Sequence, residues 1–183
     1  MIYSFTLQHV AIALGVAYVF SHGWALWRAA DCQRLLRAFP RNYPAGIALM
    51  VTAGLWFGWL ILNADLMDFA PYQNLFLVAT MALTVGMIVF VREFLAVRAL
   101  GALLLLFANV LLDAAFLDDR WIKLVVTVSA YAYIIAGIAL VASPYLLRDA
   151  LAWIFQTSRR AKFAAAAGVT FGALLLALGI LVY

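Results

Sequence analysis

Apolar residues in this chain gather into long unbroken runs instead of alternating with polar ones. Stretches free of Asp, Glu, Lys and Arg cover Met1–Trp27, Asn42–Ala64, Phe69–Val91, Ala99–Leu112, Leu124–Leu147 and Phe163–Tyr183. A helix needs about 20 apolar residues to cross the hydrocarbon of a bilayer, and five of the six runs reach that length. Pro44, Pro71 and Pro144 fall near run ends, where proline does least harm to a helix. Trp24, Trp27, Tyr43, Tyr72, Trp121 and Tyr145 lie near the same ends, where amphipathic rings favour the headgroup level. The pattern predicts an all-α integral membrane protein with six transmembrane helices, over about 4–27, 43–63, 72–91, 98–117, 121–142 and 163–183.

Charge then orders these helices in space. Ten of the twelve basic residues fall in the first, third and fifth connecting segments, and only Arg120 and Lys123 fall elsewhere. Cytoplasmic loops carry the excess of Lys and Arg. Both termini are therefore expected on the non-cytoplasmic side, and the helices pair through basic turns into three hairpins at 1–64, 72–117 and 121–183. Treating 73 to 117 as one helix would give a rod of roughly 67 Å at 1.5 Å per residue, twice a bilayer. The stretch FVREFLAVRALG is thus read as a tight cytoplasmic turn. Two connectors are longer. RAADCQRLLRAF and YLLRDALAWIFQTSRR put polar and apolar residues on opposite helical faces, which predicts amphipathic interfacial helices after the first and fifth spans.

Composition agrees with this solvent. The 183 residues are 69% hydrophobic and 11% charged, against about 45–50% and about 25% in soluble domains. The first run has no Lys or Arg ahead of it, so it reads as a retained span and not a secretory signal. Net charge is +4, but the cations sit between spans as topology requires, so membrane lipid, not nucleic acid, is the expected partner. With Cys32 the lone cysteine, no intrachain disulfide or thiolate metal site can form.

Glycines supply the packing signal. Gly54-x-x-x-Gly58 and Gly168-x-x-x-Gly172 each strip one helix face of side chains, which lets two backbones approach. The faces can serve packing within the bundle, a homo-oligomer, or docking with other membrane subunits. Gly46, Gly101 and Gly168 each open the second helix of a hairpin, a spacing compatible with a degenerate internal repeat.

Candidate chemistry is sparse. Fourteen residues separate Arg98 from Asp113, about 21 Å of helix against a hydrocarbon core of about 30 Å. Arginine can snorkel along its stem and aspartate cannot, so Asp113 is the candidate acid within the membrane. Asn109 lies one turn before it and Arg98 close to three turns before that. Facing the bundle interior, the line Arg98–Asn109–Asp113 could carry a cation or proton, or bond a partner helix; the plainer alternative is a helix that ends early with Asp113 at the interface. His9 and His22 have a spacing similar to haem ligands on one helix of a dihaem cytochrome, but there is no third histidine to oppose them. No cofactor is assigned. Thr127, Ser129, Tyr131 and Tyr133 put hydroxyls in the fifth span, suited to bonds between helices. Signatures of nucleophile–base pairs, zinc sites and phosphate loops are missing. The expectation is a non-enzymatic multi-pass inner-membrane protein, an accessory, assembly or scaffold subunit; the alternative is a small oligomeric transporter or channel using Asp113 and Asn109.

Overall fold

The computed structural model describes Tyr3, residues 5–116 and residues 118–182, and these residues form helices and turns without any strand. Eight α-helices follow in order: α1 Leu7–Trp27, α2 Ala29–Ala38, α3 Tyr43–Asn63, α4 Gln73–Phe90, α5 Leu95–Phe116, α6 Leu124–Ala142, α7 Tyr145–Ile154 and α8 Ser158–Leu181. Six of them, α1, α3, α4, α5, α6 and α8, are long and apolar enough to cross a membrane, α4 and α6 together with the short 3-10 turns that lead into them. The ten-residue helices α2 and α7 follow the first and fifth of these, as their amphipathic pattern predicts.

Local chemistry sets the helix starts. Thr6 accepts the His9 N–H ahead of α1, Asn42 accepts the Ala45 N–H ahead of α3, and Thr157 accepts the Arg160 N–H ahead of α8. Each side-chain oxygen meets one of the backbone donors a first turn leaves open. The Thr157 cap starts α8 five residues ahead of position 163, so Arg159, Arg160 and Lys162 lie in its first turns. In α5 the helix continues past both of its charges. It has 22 residues, about 33 Å at 1.5 Å per residue, with Arg98 one turn inside one end and Asp113 one turn inside the other. The apparent shortness of the fourth run disappears.

Glycine decides which helices touch. A Cβ on Gly15 would lie 2.9 Å from the Gly172 carbonyl oxygen, and one on Gly172 would lie 2.9 Å from that of Gly15. This reciprocal approach joins α1 to α8, the most extensive helix pair. Gly101 and Gly137 repeat the arrangement between α5 and α6, each 2.8 Å from the other's carbonyl oxygen on the same construction. Gly46 brings α3 onto the Ala96 backbone nitrogen of α5, and Gly54 and Gly58 take Thr84 and Met81 of α4. The extensive pairs are thus α1 with α8, α5 with α6, α3 with α5 and α3 with α4. Within each expected hairpin the two long helices are not extensive partners. α3 and α4, and α5 and α6, are instead joined by the connections without basic excess or by Arg120 and Lys123.

The core is narrow. It runs through Leu14, Leu111, Leu175 and Val126 where α1, α5, α8 and α6 meet, with Ala11, Ala108 and Ala130 keeping the axes close. Outside it, Phe20, Leu83, Ile135 and Leu181 are between 67 and 80% exposed. So much outward apolar surface supports a membrane as the surrounding medium. α2 and α7 pack on one another at one end of the bundle, where Arg37 donates to the Phe155 carbonyl at 3.3 Å and lies over its ring. Each buries one residue, Cys32 or Leu151, and leaves Leu35 or Trp153 outward.

Candidate functional site

α5 carries the three candidate polar residues, and helical geometry sets them on one stripe. At 100° per residue, Arg98, Ala102, Leu105, Asn109 and Asp113 fall within a third of the circumference. The opposite face of α5, with Val97, Ala108, Leu111 and Ala115, is buried against the rest of the bundle. The stripe therefore looks sideways. Arg98, Ala102 and Leu105 line a cleft of about 350 Å³ whose other walls are α3 and α4.

The cleft exists because α4 stands off. α4 packs chiefly on α3 and buries none of its residues fully. The link from α4 to α5 spans only Val91 to Phe94, with Arg92 and Glu93 exposed. Phe94 adopts φ 56°, a left-handed conformation costly for a bulky side chain. Its carbonyl accepts the Val97 and Arg98 N–H groups and so starts α5 in a new direction. Nearby, the Tyr43 hydroxyl donates to the Ile88 carbonyl at 2.8 Å, which ties the end of α4 to the start of α3.

The three polar residues do not converge. Arg98 donates to the Val141 carbonyl of α6 at 2.7 Å, and its Nε is buried without a partner among the described residues. Asn109 is exposed on the outer surface. Asp113 is half-buried at the far end of the stripe, where its charge acts on the Tyr3 phenol. Burial raises the Tyr3 pKa, the Trp56 hydrogen bond opposes that rise and Asp113 adds to it. Trp56 Nε1 donates to the Tyr3 hydroxyl at 2.6 Å, and Trp59 packs against the same ring. This aromatic corner escaped sequence reading because Tyr3 and Trp56 lie 53 positions apart and neither belongs to a motif.

A second polar group lies deeper. The Tyr133 hydroxyl of α6 donates to the Tyr18 hydroxyl of α1 at 2.9 Å, a bond between helices of the kind expected of the fifth-span hydroxyls. His22 stacks on Tyr18 with ring centres 5.2 Å apart, and its Nδ1 lies 3.0 Å from the Tyr18 carbonyl oxygen. His9 instead sits beside Thr6 Oγ1 at 2.6 Å at the start of α1. The two histidines thus serve separate local contacts. Gly168 gives His22 its space, since any Cβ there would overlap the imidazole ring. All four GxxxG glycines, Gly54, Gly58, Gly168 and Gly172, meet neighbours inside the protomer.

A further cavity, about 440 Å³, lies beneath α2 and α7 and is lined by Cys32, Leu151 and Lys162 among others. Burial pushes the Cys32 thiol up, which lowers the thiolate fraction on which reactivity depends. The chain matches no family model, no curated protein and no solved structure in the comparisons made.

Proposed function

We propose that this protein is a multi-pass inner-membrane protein without a catalytic role, an accessory, assembly or scaffold subunit that acts by packing sideways on other membrane helices or on its own copies. In this reading the six long helices cross the bilayer, both termini lie on the non-cytoplasmic side, and α2 and α7 rest in the inner headgroup layer. Support for the sidedness comes from α2 and α7 packing together at the end that holds most of the basic residues.

The observation that carries the proposal is Asn109. Its amide is exposed on the outside of α5, the fifteenth of 22 helical residues. It makes no hydrogen bond among the described residues. An amide facing hydrocarbon alone is costly, and a hydrogen bond to a neighbouring helix removes that cost. The GxxxG faces add nothing to the docking argument, because the bundle itself uses them.

Photo-crosslinking in native membranes tests it. A photoreactive residue at position 109 should give one discrete adduct, and Asn109→Leu should weaken the assembly recovered in mild detergent. A monodisperse lone protomer with no adduct would refute it. The transporter reading draws on Asp113 and its electrostatic contact with Tyr3. It requires that Asp113→Asn abolish a flux in proteoliposomes while the protein still folds; an unchanged flux removes it.

A further inference from the structure

The cleft beside α4 has one charged end and otherwise apolar walls. Ala53 and Gly54 of α3 form its floor, Leu83 and Met87 of α4 one wall, and Ala102 and Leu105 of α5 the other. At about 350 Å³ it falls at the lower end of the range for small-molecule sites. Thr84 lines it too, but its hydroxyl is already committed to the Thr80 carbonyl at 2.8 Å.

Arg98 closes the end nearest the Val91–Phe94 turn. One of its terminal nitrogens is spent on the Val141 carbonyl. Its Nε is the buried side-chain nitrogen or oxygen without a partner among the described residues. No ion pair within those residues involves Arg98, and Glu93 is exposed on the turn outside. A guanidinium has five donors in a planar fork suited to a phosphate, and a half-buried cation with no carboxylate paired to it among those residues favours an anion. The chemistry that satisfies both parts is an apolar chain ending in an anionic oxygen group.

We propose that this cleft binds an anionic phospholipid, with one acyl chain between α4 and α5 and the phosphate on Arg98. Three features of the cleft fit this occupant. It is open at the side, so a chain can enter from the bilayer. Arg98 lies one turn inside α5, close to headgroup depth for a helix of that length. Arg92 and Glu93 stand at the mouth with Arg98, so two cations and one carboxylate leave it net positive for an anionic headgroup. The inference rests on the bilayer reading above but not on docking at Asn109, and the two fail separately.

The test is native mass spectrometry of the full chain released from nanodiscs of phosphatidylcholine mixed with phosphatidylglycerol. The wild type should retain one phosphatidylglycerol with about tenfold preference over phosphatidylcholine, ~1.4 kcal/mol. Arg98→Gln should erase the preference and Arg98→Lys should keep part of it. Ala102→Phe, which fills the cleft and leaves the charge intact, should lose the lipid. Excess inorganic phosphate should not displace it. Equal retention by wild type and Arg98→Gln would overturn the proposal, as would full retention by Ala102→Phe; the latter comparison stands even where Arg98→Gln fails to fold. Displacement by free phosphate would reassign Arg98 to a simple anion site. A lipid-free dimer broken by Ala102→Phe would reassign the cleft to a second copy of the chain. Photo-crosslinking at 109 reads out the docking proposal independently of these results.

Discussion

Single residues carry the strain and the polar bonds of this bundle, and three of them make direct predictions. Met67 has φ 45° and is 79% exposed, so its left-handed backbone is strained and its side chain packs little. Met67→Gly should stabilise by about 0.5–1 kcal/mol, the relief of left-handed strain less the added chain entropy of glycine; a lower melting temperature would contradict it. Tyr133→Phe removes the bond to Tyr18 and should cost about 0.5–1.5 kcal/mol, measured as reduced resistance to a denaturing detergent. Asp118 is held below the ordinary carboxylate range, first by the side-chain hydrogen bond from Arg120, with the Arg120 N–H and the nearby charges of Arg120 and Lys123 assisting. The depressed value means the ionised form is favoured by folding. Its contribution is complete above 3.8, the ordinary value, and is lost as pH falls through the lowered one. Wild type and Asp118→Asn should differ modestly in stability at neutral pH, since solvent screens the pair, and converge in acid. Of such details the sequence showed the hydroxyls of α6 but not that Tyr18 receives one of them. A hydroxyl's partner depends on helix neighbours that no local pattern encodes.

At the scale of helices, glycine separates contacts from open surface. A Cβ on Gly101 would press 2.8 Å from a backbone oxygen of α6, whereas one on Gly86 of α4 would meet nothing within 4 Å. Gly101→Ala should therefore cost about 1–3 kcal/mol, the range for overpacking, while Gly86→Ala should be neutral or gain about 0.5–1 kcal/mol from helix propensity. Thermal unfolding of the two variants side by side decides the point; equal effects would mean that α5 and α6 are not in backbone contact. Helix existence was legible throughout, because a run of about 20 apolar residues has few other fates. Ends were less so. Charges at Arg98 and Asp113 made α5 look short, yet the backbone continues a turn beyond each of them: the long Arg98 stem can carry its charge toward the helix end, and Asp113 lies half-buried near Tyr3. Thr157 similarly starts α8 among basic residues. Gly54, Gly58, Gly168 and Gly172 were legible as close-approach faces, but Gly15, Gly101 and Gly137 belong to no GxxxG pair, and their close approaches are found only through their partners.

For the whole molecule, the sidedness proposed from charge can be tested on a background in which Cys32→Ser removes the sole thiol. A cysteine placed at 119 should react with a membrane-impermeant reagent on intact cells, and one at 93 only after the membrane is opened. The reverse pattern would invert the orientation proposed above. Which helices touch is a different kind of fact. The apolar runs determined six helices long and apolar enough to span a membrane, and the charged connectors after the first and fifth determined two short amphipathic ones, because both are properties of composition and period. The tertiary structure alone decided that α1 meets α8, that α4 leans away from α5, and that Arg98 lines a lateral cleft while Asn109 faces outward and Asp113 lies beside Tyr3. The physical reason is that in a chain apolar on every face, hydrophobicity no longer says which face is inside. Backbone approach at glycines and the fit of individual side chains settle it, and those terms exist only between segments distant in sequence.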